Sequence, residues 1–175
     1  PVVAGAGSNS TAVAVEHQKR AADTGANWAL VVTPYYNKPT PVGLYRHYEA
    51  LLKAADIPVI LYNVPGRTGC DMLPDTVAEI AKMDGIIAVK EATADISRVK
   101  TIRGLTSPNF KILSGDDGTT HAFMAEGGDG VISVTSNLVP KEFTDMVHLT
   151  RDGKMDEALA LHNQMAEIFD VLFVE

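Results

Sequence analysis

Lys90, in the segment GIIAVKEAT, follows five uncharged residues at the end of an apolar run. A lysine desolvated in that way holds its proton less tightly. A neutral amine is what Schiff-base formation with a carbonyl substrate requires. The plain alternative is a side chain that snorkels to solvent and pairs with Glu91. Tyr62 closes the preceding apolar run, in PVILYNVPGRTG. If the two runs are neighbouring strands, amine and phenol share one pocket, and the phenol can pass protons between carbinolamine, imine and substrate. A core tyrosine with a satisfied hydroxyl is the alternative there. Arg67 stands five residues further on, in a loop of prolines and glycines. A guanidinium fork binds carboxylates bidentately, so a carboxylated carbonyl compound fits, against the alternative of an ordinary surface arginine. Tyr35 and Tyr36 follow VVTP; adjacent in a loop, they cannot both face one pocket, so one is free to reach a neighbouring molecule.

Positioning such a set requires strands that end together. Six short β-branched-rich runs recur: Val2–Ala4, Leu30–Thr33, Val59–Tyr62, Ile86–Lys90, Phe110–Leu113 and Val131–Val134. Their continuous apolar character predicts strands buried on both faces, as in a parallel sheet. Amphipathic patterns between them predict helices over Ala12–Ala22, Leu44–Ala55, Thr76–Met83 and Ile96–Leu105, the last capped by Asp95. Lys141–Arg151 and Met155–Glu175 follow as two further helices. Strand then helix, repeated, leaves an open doubly wound sheet or a (β/α)8 barrel. Every predicted strand exits into polar residues, among them Ser8-Asn9, Tyr35-Tyr36, Tyr62-Asn63, Lys90-Glu91, Asp116-Asp117 and Ser136-Asn137. An open sheet concentrates function at one switch point, whereas a barrel uses the C-terminal ends of all its strands. The expectation is an α/β TIM barrel of which this chain covers six βα units, because closure takes eight strands.

The remaining features exclude more than they assign. At 175 residues and 46% hydrophobic content the chain can bury a core, and its charge of −7 argues against nucleic acid or anionic membrane as the main partner. Cys70 is the single cysteine, so no internal disulfide is possible, and nothing resembles a signal peptide or a span of about 20 apolar residues. A cytoplasmic protein is expected. GAGSNS and EGGDG match neither GxGxxG nor a Walker loop, and read as a strand-exit turn and a helix-stop turn. Asp116 and Asp117 read most simply as caps of the next helix. His17, His47, His121, His148 and His162 show no metal-ligand spacing, and GxSxG is absent.

The segments TPYYN, LYNVPGRTG, VKEAT, LSGDD and GVISVTSN stand in the order and spacing of the dihydrodipicolinate synthase family, within the pyruvate-dependent class I aldolase and lyase superfamily. The chain resembles that family over essentially its whole length, from what would be the third barrel strand to the helices after the eighth. Residues 1–139 would then be a partial barrel and 140–175 C-terminal helices, with the chain short at both ends. The resemblance implies condensation of pyruvate with aspartate-4-semialdehyde in diaminopimelate and lysine biosynthesis. Lys90 matches the imine-forming lysine, Tyr62 the proton-relaying tyrosine, and Tyr36 the relay tyrosine donated into the partner subunit's site. Arg67 matches the arginine that binds the semialdehyde carboxylate. Ile132 matches the position whose backbone carbonyl touches pyruvate, and Gly115 lines the pocket nearby. No metal or organic cofactor is implied; a homodimer or homotetramer is. The family's TTGE segment, which supplies the relay threonine, is absent from this sequence. Asn9 and Tyr35 match residues of an allosteric lysine site, but Val13 stands where lysine-sensitive members commonly carry a glutamate, which implies weak or absent lysine inhibition. Other readings are a related pyruvate-dependent aldolase, such as an N-acetylneuraminate lyase or keto-sugar-acid aldolase, and an inactive fragment or scaffold.

Overall fold

The computed structural model describes residues 1–174. Six strands, β1 (Val3–Gly5), β2 (Trp28–Val32), β3 (Val59–Asn63), β4 (Ile86–Glu91), β5 (Lys111–Ser114) and β6 (Gly130–Val131), form one sheet. All pairings are parallel and the spatial order follows the chain, β1 to β6. A doubly wound sheet reverses its order at a switch point; this one never does. Successive crossovers without reversal bring buried residues of α1, α2, α4 and α5 against one face of the sheet.

The helices are α1 (Thr11–Asp23), α2 (Pro41–Ala54), α3 (Pro65–Thr68), α4 (Pro74–Ile80), α5 (Ser97–Leu105), α6 (Thr120–Ala125), α7 (Pro140–Arg151), α8 (Met155–Gln164) and α9 (Ala166–Val171). The chain starts α2, α3, α4 and α7 with proline, whose missing N–H costs nothing in a first turn. Strand residues alternate between faces. One register row, Val31, Leu61, Val89 and Ile112, is fully buried against Leu44, Tyr48 and Leu51 of α2, Ile80 of α4 and Ile102 of α5. The Tyr48 hydroxyl donates to the Val31 carbonyl at 3.1 Å, so this buried phenol is satisfied. The neighbouring row, Val32, Tyr62, Lys90 and Leu113, projects from the other face. Phe143, Met146, Met165 and Phe169 make a separate small cluster under α7 to α9.

Three expectations are corrected. Val131–Val134 does not run as a strand: β6 ends at Val131, with one further hydrogen bond from Ile132 N to the Ser114 carbonyl. The Val134 and Thr135 N–H groups instead donate to the Asp117 carboxylate, and Thr135–Asn137 turn as a 3-10 helix. Asp117 therefore does not cap α6; that turn is held by Asp116, whose Oδ2 accepts from Thr119 N at 3.0 Å. The single long C-terminal helix is two, because Met165 (φ −96°, ψ 0°) leaves helical geometry as its side chain enters the small cluster; Glu175, its expected last residue, lies outside the described residues. The VPGRTG loop contains a helical turn, Pro65–Thr68, closed by Gly69 in the left-handed conformation (φ 68°).

Candidate active site

Tyr62 and Lys90 are register partners at the C-terminal ends of β3 and β4. The pairing depends on a slip: Val59 faces Ile86, but Ile60 faces Ala88, so Ile87 is the extra residue of a bulge. Without it Tyr62 would stand opposite Val89, and phenol and amine would leave opposite faces. With it, Lys90 Nζ lies 4.4 Å from the Tyr62 ring centroid. Lys90 is 8% exposed, and burial lowers its proton affinity from the ordinary lysine range, opposed by the Asp117 charge. Burial likewise raises the Tyr62 phenol, opposed by the Arg67 guanidinium. A half-buried phenol that keeps its proton, touching an amine that gives one up, is the arrangement acid–base assistance at nitrogen requires.

Lys90 does not pair with Glu91. Alternation sends Glu91 through the sheet to the helix side, where its oxygens accept from Asn63 Nδ2 at 3.1 and 3.3 Å and from Thr93 N at 3.0 Å. Burial pushes the Glu91 carboxyl upward against these bonds. Asn63 also donates to Asp71 at 3.0 Å and accepts from Met72 N at 2.9 Å. Arg98 of α5 grips Asp71 with both guanidinium arms, at 2.8 and 2.6 Å. This network fastens both ends of the segment carrying Arg67. Sequence reading missed Asn63, Asp71 and Arg98 as a unit. The available signal was that Asn63 and Glu91 follow Tyr62 and Lys90 directly, so both must face the helices.

Gly115 sits where a Cβ would lie 2.6 Å from Ala92 Cβ and 2.8 Å from Lys90 Cε. Only glycine leaves room there for the lysine stem. Ile132 N donates to the Ser114 carbonyl at 3.0 Å, extending the β5–β6 pairing one step past β6. Arg67 is exposed and, among the described residues, enters no ion pair. Lys90, Tyr62, Arg67 and Gly115 thus come together on one side of the sheet, and Ile132 adjoins them through β5.

Tyr36 does not join them within this chain. It is 87% exposed and adopts φ 74°, a conformation bulky residues rarely take, and its N–H donates to the Thr68 carbonyl at 3.0 Å. Tyr35 is also exposed. Asn37 Nδ2 donates to the Asn9 carbonyl at 2.9 Å, and Asn37 N to the Tyr35 carbonyl at 2.9 Å, so the loops of Asn9 and Tyr35 are tied through one residue. An apolar groove of about 360 Å³, lined by Pro41, Val42, Tyr45, Asp75, Glu79 and Ile80, opens between α2 and α4 and shares no residue with the Lys90 cluster. Among the described residues no helix is long and apolar enough to cross a membrane.

A model of the dihydrodipicolinate synthetase family matches residues 1–175. A 4-hydroxy-tetrahydrodipicolinate synthase of Shewanella piezotolerans is 50% identical over 175 residues, which are 100% of this chain and 60% of that protein. The structure of a chloride-inhibited dihydrodipicolinate synthase from Acinetobacter baumannii, complexed with pyruvate, superposes with a TM-score of 0.96 at 44% identity, covering 100% of this chain and 60% of the other. The dihydrodipicolinate synthase of Thermotoga maritima gives a TM-score of 0.96 at 41% identity, over 100% and 61%. The chain spans about 60% of the length of the relatives it matches.

Proposed function

Because the chain belongs to the dihydrodipicolinate synthetase family, we propose that the protein carrying it condenses pyruvate with aspartate-4-semialdehyde, with Lys90 as the imine-forming residue. The observation that carries this reading is the buried Lys90 amine against the Tyr62 ring, 4.4 Å from its centroid. Neutral Lys90 attacks the pyruvate ketone, Tyr62 gives the departing oxygen a proton, and water leaves to form the imine. Loss of a proton from the pyruvate methyl gives an enamine, whose carbon adds to the semialdehyde aldehyde. Arg67, in no ion pair among the described residues, receives the semialdehyde carboxylate. Ile132 offers its backbone carbonyl beside the ketone, and Gly115 keeps the lysine stem clear. Tyr36 completes the relay of a partner subunit in a homodimer or homotetramer; its exposure and left-handed backbone support that outward role. We read the six strands as part of an eight-stranded barrel followed by C-terminal helices from residue 140, acting in cytoplasmic diaminopimelate and lysine synthesis.

Borohydride reduction with pyruvate, followed by peptide mass analysis, tests the assignment. The expected adduct is on Lys90, forming faster as pH rises and levelling off below the pH where an ordinary lysine titrates. No adduct on Lys90 in the full polypeptide carrying this chain sinks the reading. Arg67→Ala should leave the adduct intact and raise the KM for the semialdehyde about tenfold or more; unchanged semialdehyde turnover would favour a related pyruvate-dependent aldolase.

A further inference from the structure

Asp117 lies at the β5–α6 turn and is 3% exposed. Its Oδ2 accepts from Val134 N at 3.0 Å and Thr135 N at 2.7 Å, reaching 17 and 18 positions along the chain. Its Oδ1 is buried and has no hydrogen-bond partner among the described residues. A buried carboxylate oxygen left unpaired is costly, and such groups persist where another charge compensates them. The turn that carries Asp117 abuts Lys90: a Cβ at Gly115, two residues earlier, would lie 2.8 Å from Lys90 Cε and 3.1 Å from its Cγ. The Asp117 charge opposes the lowering of the Lys90 amine by burial, and among the described residues that ammonium is in no ion pair with any carboxylate.

We propose that Asp117 is a positioning residue of the Lys90 site: one oxygen holds the turn that follows Ile132, and the other supplies the counter-charge for a cationic imine on Lys90. The proposal rests on the imine reading above. In forming that imine, the Nζ–carbon bond is made and the carbonyl oxygen leaves as water. The water takes one proton from the amine and one from Tyr62 or solvent. The nitrogen keeps one proton and a positive charge. An anion fixed nearby stabilises this cation as it stabilises the ammonium. The other groups facing Lys90 do not supply that charge. Tyr62 of β3 stays neutral because burial raises its phenol, with Arg67 above it. The Ile132–Asn137 turn has no titratable side chain, and Asp116 turns its Oδ2 to the start of α6, where it accepts from Thr119 N and Oγ1. Glu91 faces the opposite side of the sheet.

Asp117→Asn removes the charge and keeps an oxygen for Val134 and Thr135, so it separates charge from scaffolding. Two readouts on the full polypeptide carrying this chain are needed. The first is the pH midpoint of Lys90 acetylation by acetic anhydride, followed by peptide mass analysis, which requires no substrate. The second is the pyruvate concentration that half-saturates borohydride trapping. Asp117→Asn should move the acetylation midpoint to lower pH and raise half-saturating pyruvate about threefold or more. Asp117→Glu should restore both towards wild type, and Asp116→Asn should move neither. Unchanged midpoint and half-saturation in a folded Asp117→Asn overturn the proposal. So does an equal shift in Asp116→Asn, which would mark a general field effect. A shifted midpoint in a protein that forms no adduct at all would defeat the imine reading while upholding the Asp117–Lys90 coupling.

Discussion

Gly115 shows how a residue without a functional group governs one that has it. Any Cβ at that position meets Ala92 Cβ at 2.6 Å and Lys90 Cε at 2.8 Å. Ala92 Cβ is fixed to the backbone directly after β4 and cannot retreat cheaply, and the Lys90 stem would have to swing aside. Gly115→Ala should therefore destabilise by about 1–3 kcal/mol and slow adduct formation at Lys90 about tenfold, since the amine loses its place over Tyr62. Thermal unfolding beside timed borohydride trapping reads the two effects separately. A variant as stable and as fast as wild type would show that the lysine stem has slack. The pair at Tyr62 and Lys90 was legible from residue types alone, because an apolar run ending in a phenol or an amine is unusual. Asp117 was not, because an aspartate before a helix reads equally well as a cap.

At the scale of elements, α2 is keyed to α1 by a buried histidine. His47 Nδ1 lies 2.9 Å from Thr11 Oγ1, its ring meets Tyr48 edge-on, and its Nε2 is buried without a hydrogen-bond partner among the described residues. Desolvation lowers its pKa from 6.5 to about 4. The unfolded chain thus binds a proton between those values that the folded chain refuses. Stability is full above pH 6.5, falls as pH drops towards about 4, and the loss is at most about 3 kcal/mol. His47→Phe, which cannot titrate, should flatten that dependence. Urea midpoints at pH near 4.5 and 7.5 give the comparison, and an undiminished slope in the variant would place the acid sensitivity elsewhere. Strand and helix positions were largely readable from hydrophobic pattern, with ends displaced by a few residues. The exceptions were β6 and the last helix, which were cut short by the reach of Asp117 and the burial of Met165, both contacts between residues distant in sequence or in separate elements.

At the scale of the whole molecule, the two loops that bear Asn9 and Tyr35 are linked by Asn37, and Val13 of α1, four residues after Asn9, is exposed. These are the positions that the family resemblance connects with lysine regulation. The valine offers no charge for an ammonium group, and an aliphatic side chain cannot replace that pairing. Steady-state turnover of the full protein should therefore persist in millimolar lysine. Strong inhibition would mean that another acidic group has taken the glutamate's place. Only the assembled sheet shows that these loops meet, since their shared contact runs between residues 28 positions apart.

The sequence by itself determined the class of fold, the direction of the sheet and the chemical pair at its core. Those follow from local pattern: period, apolar runs, and which residues end them. The tertiary structure decided whether that pair meets. Tyr62 and Lys90 share a face only because Ile87 bulges out of the β3–β4 register, and a one-residue slip reverses every side chain after it. Register is a relation between two strands and leaves no mark on either one alone. The same holds for Asn63, Asp71, Glu91 and Arg98, whose hydrogen bonds fasten the Arg67 segment from the far side of the sheet. Each is an ordinary polar residue in sequence, and their common function exists only where the chain folds them together.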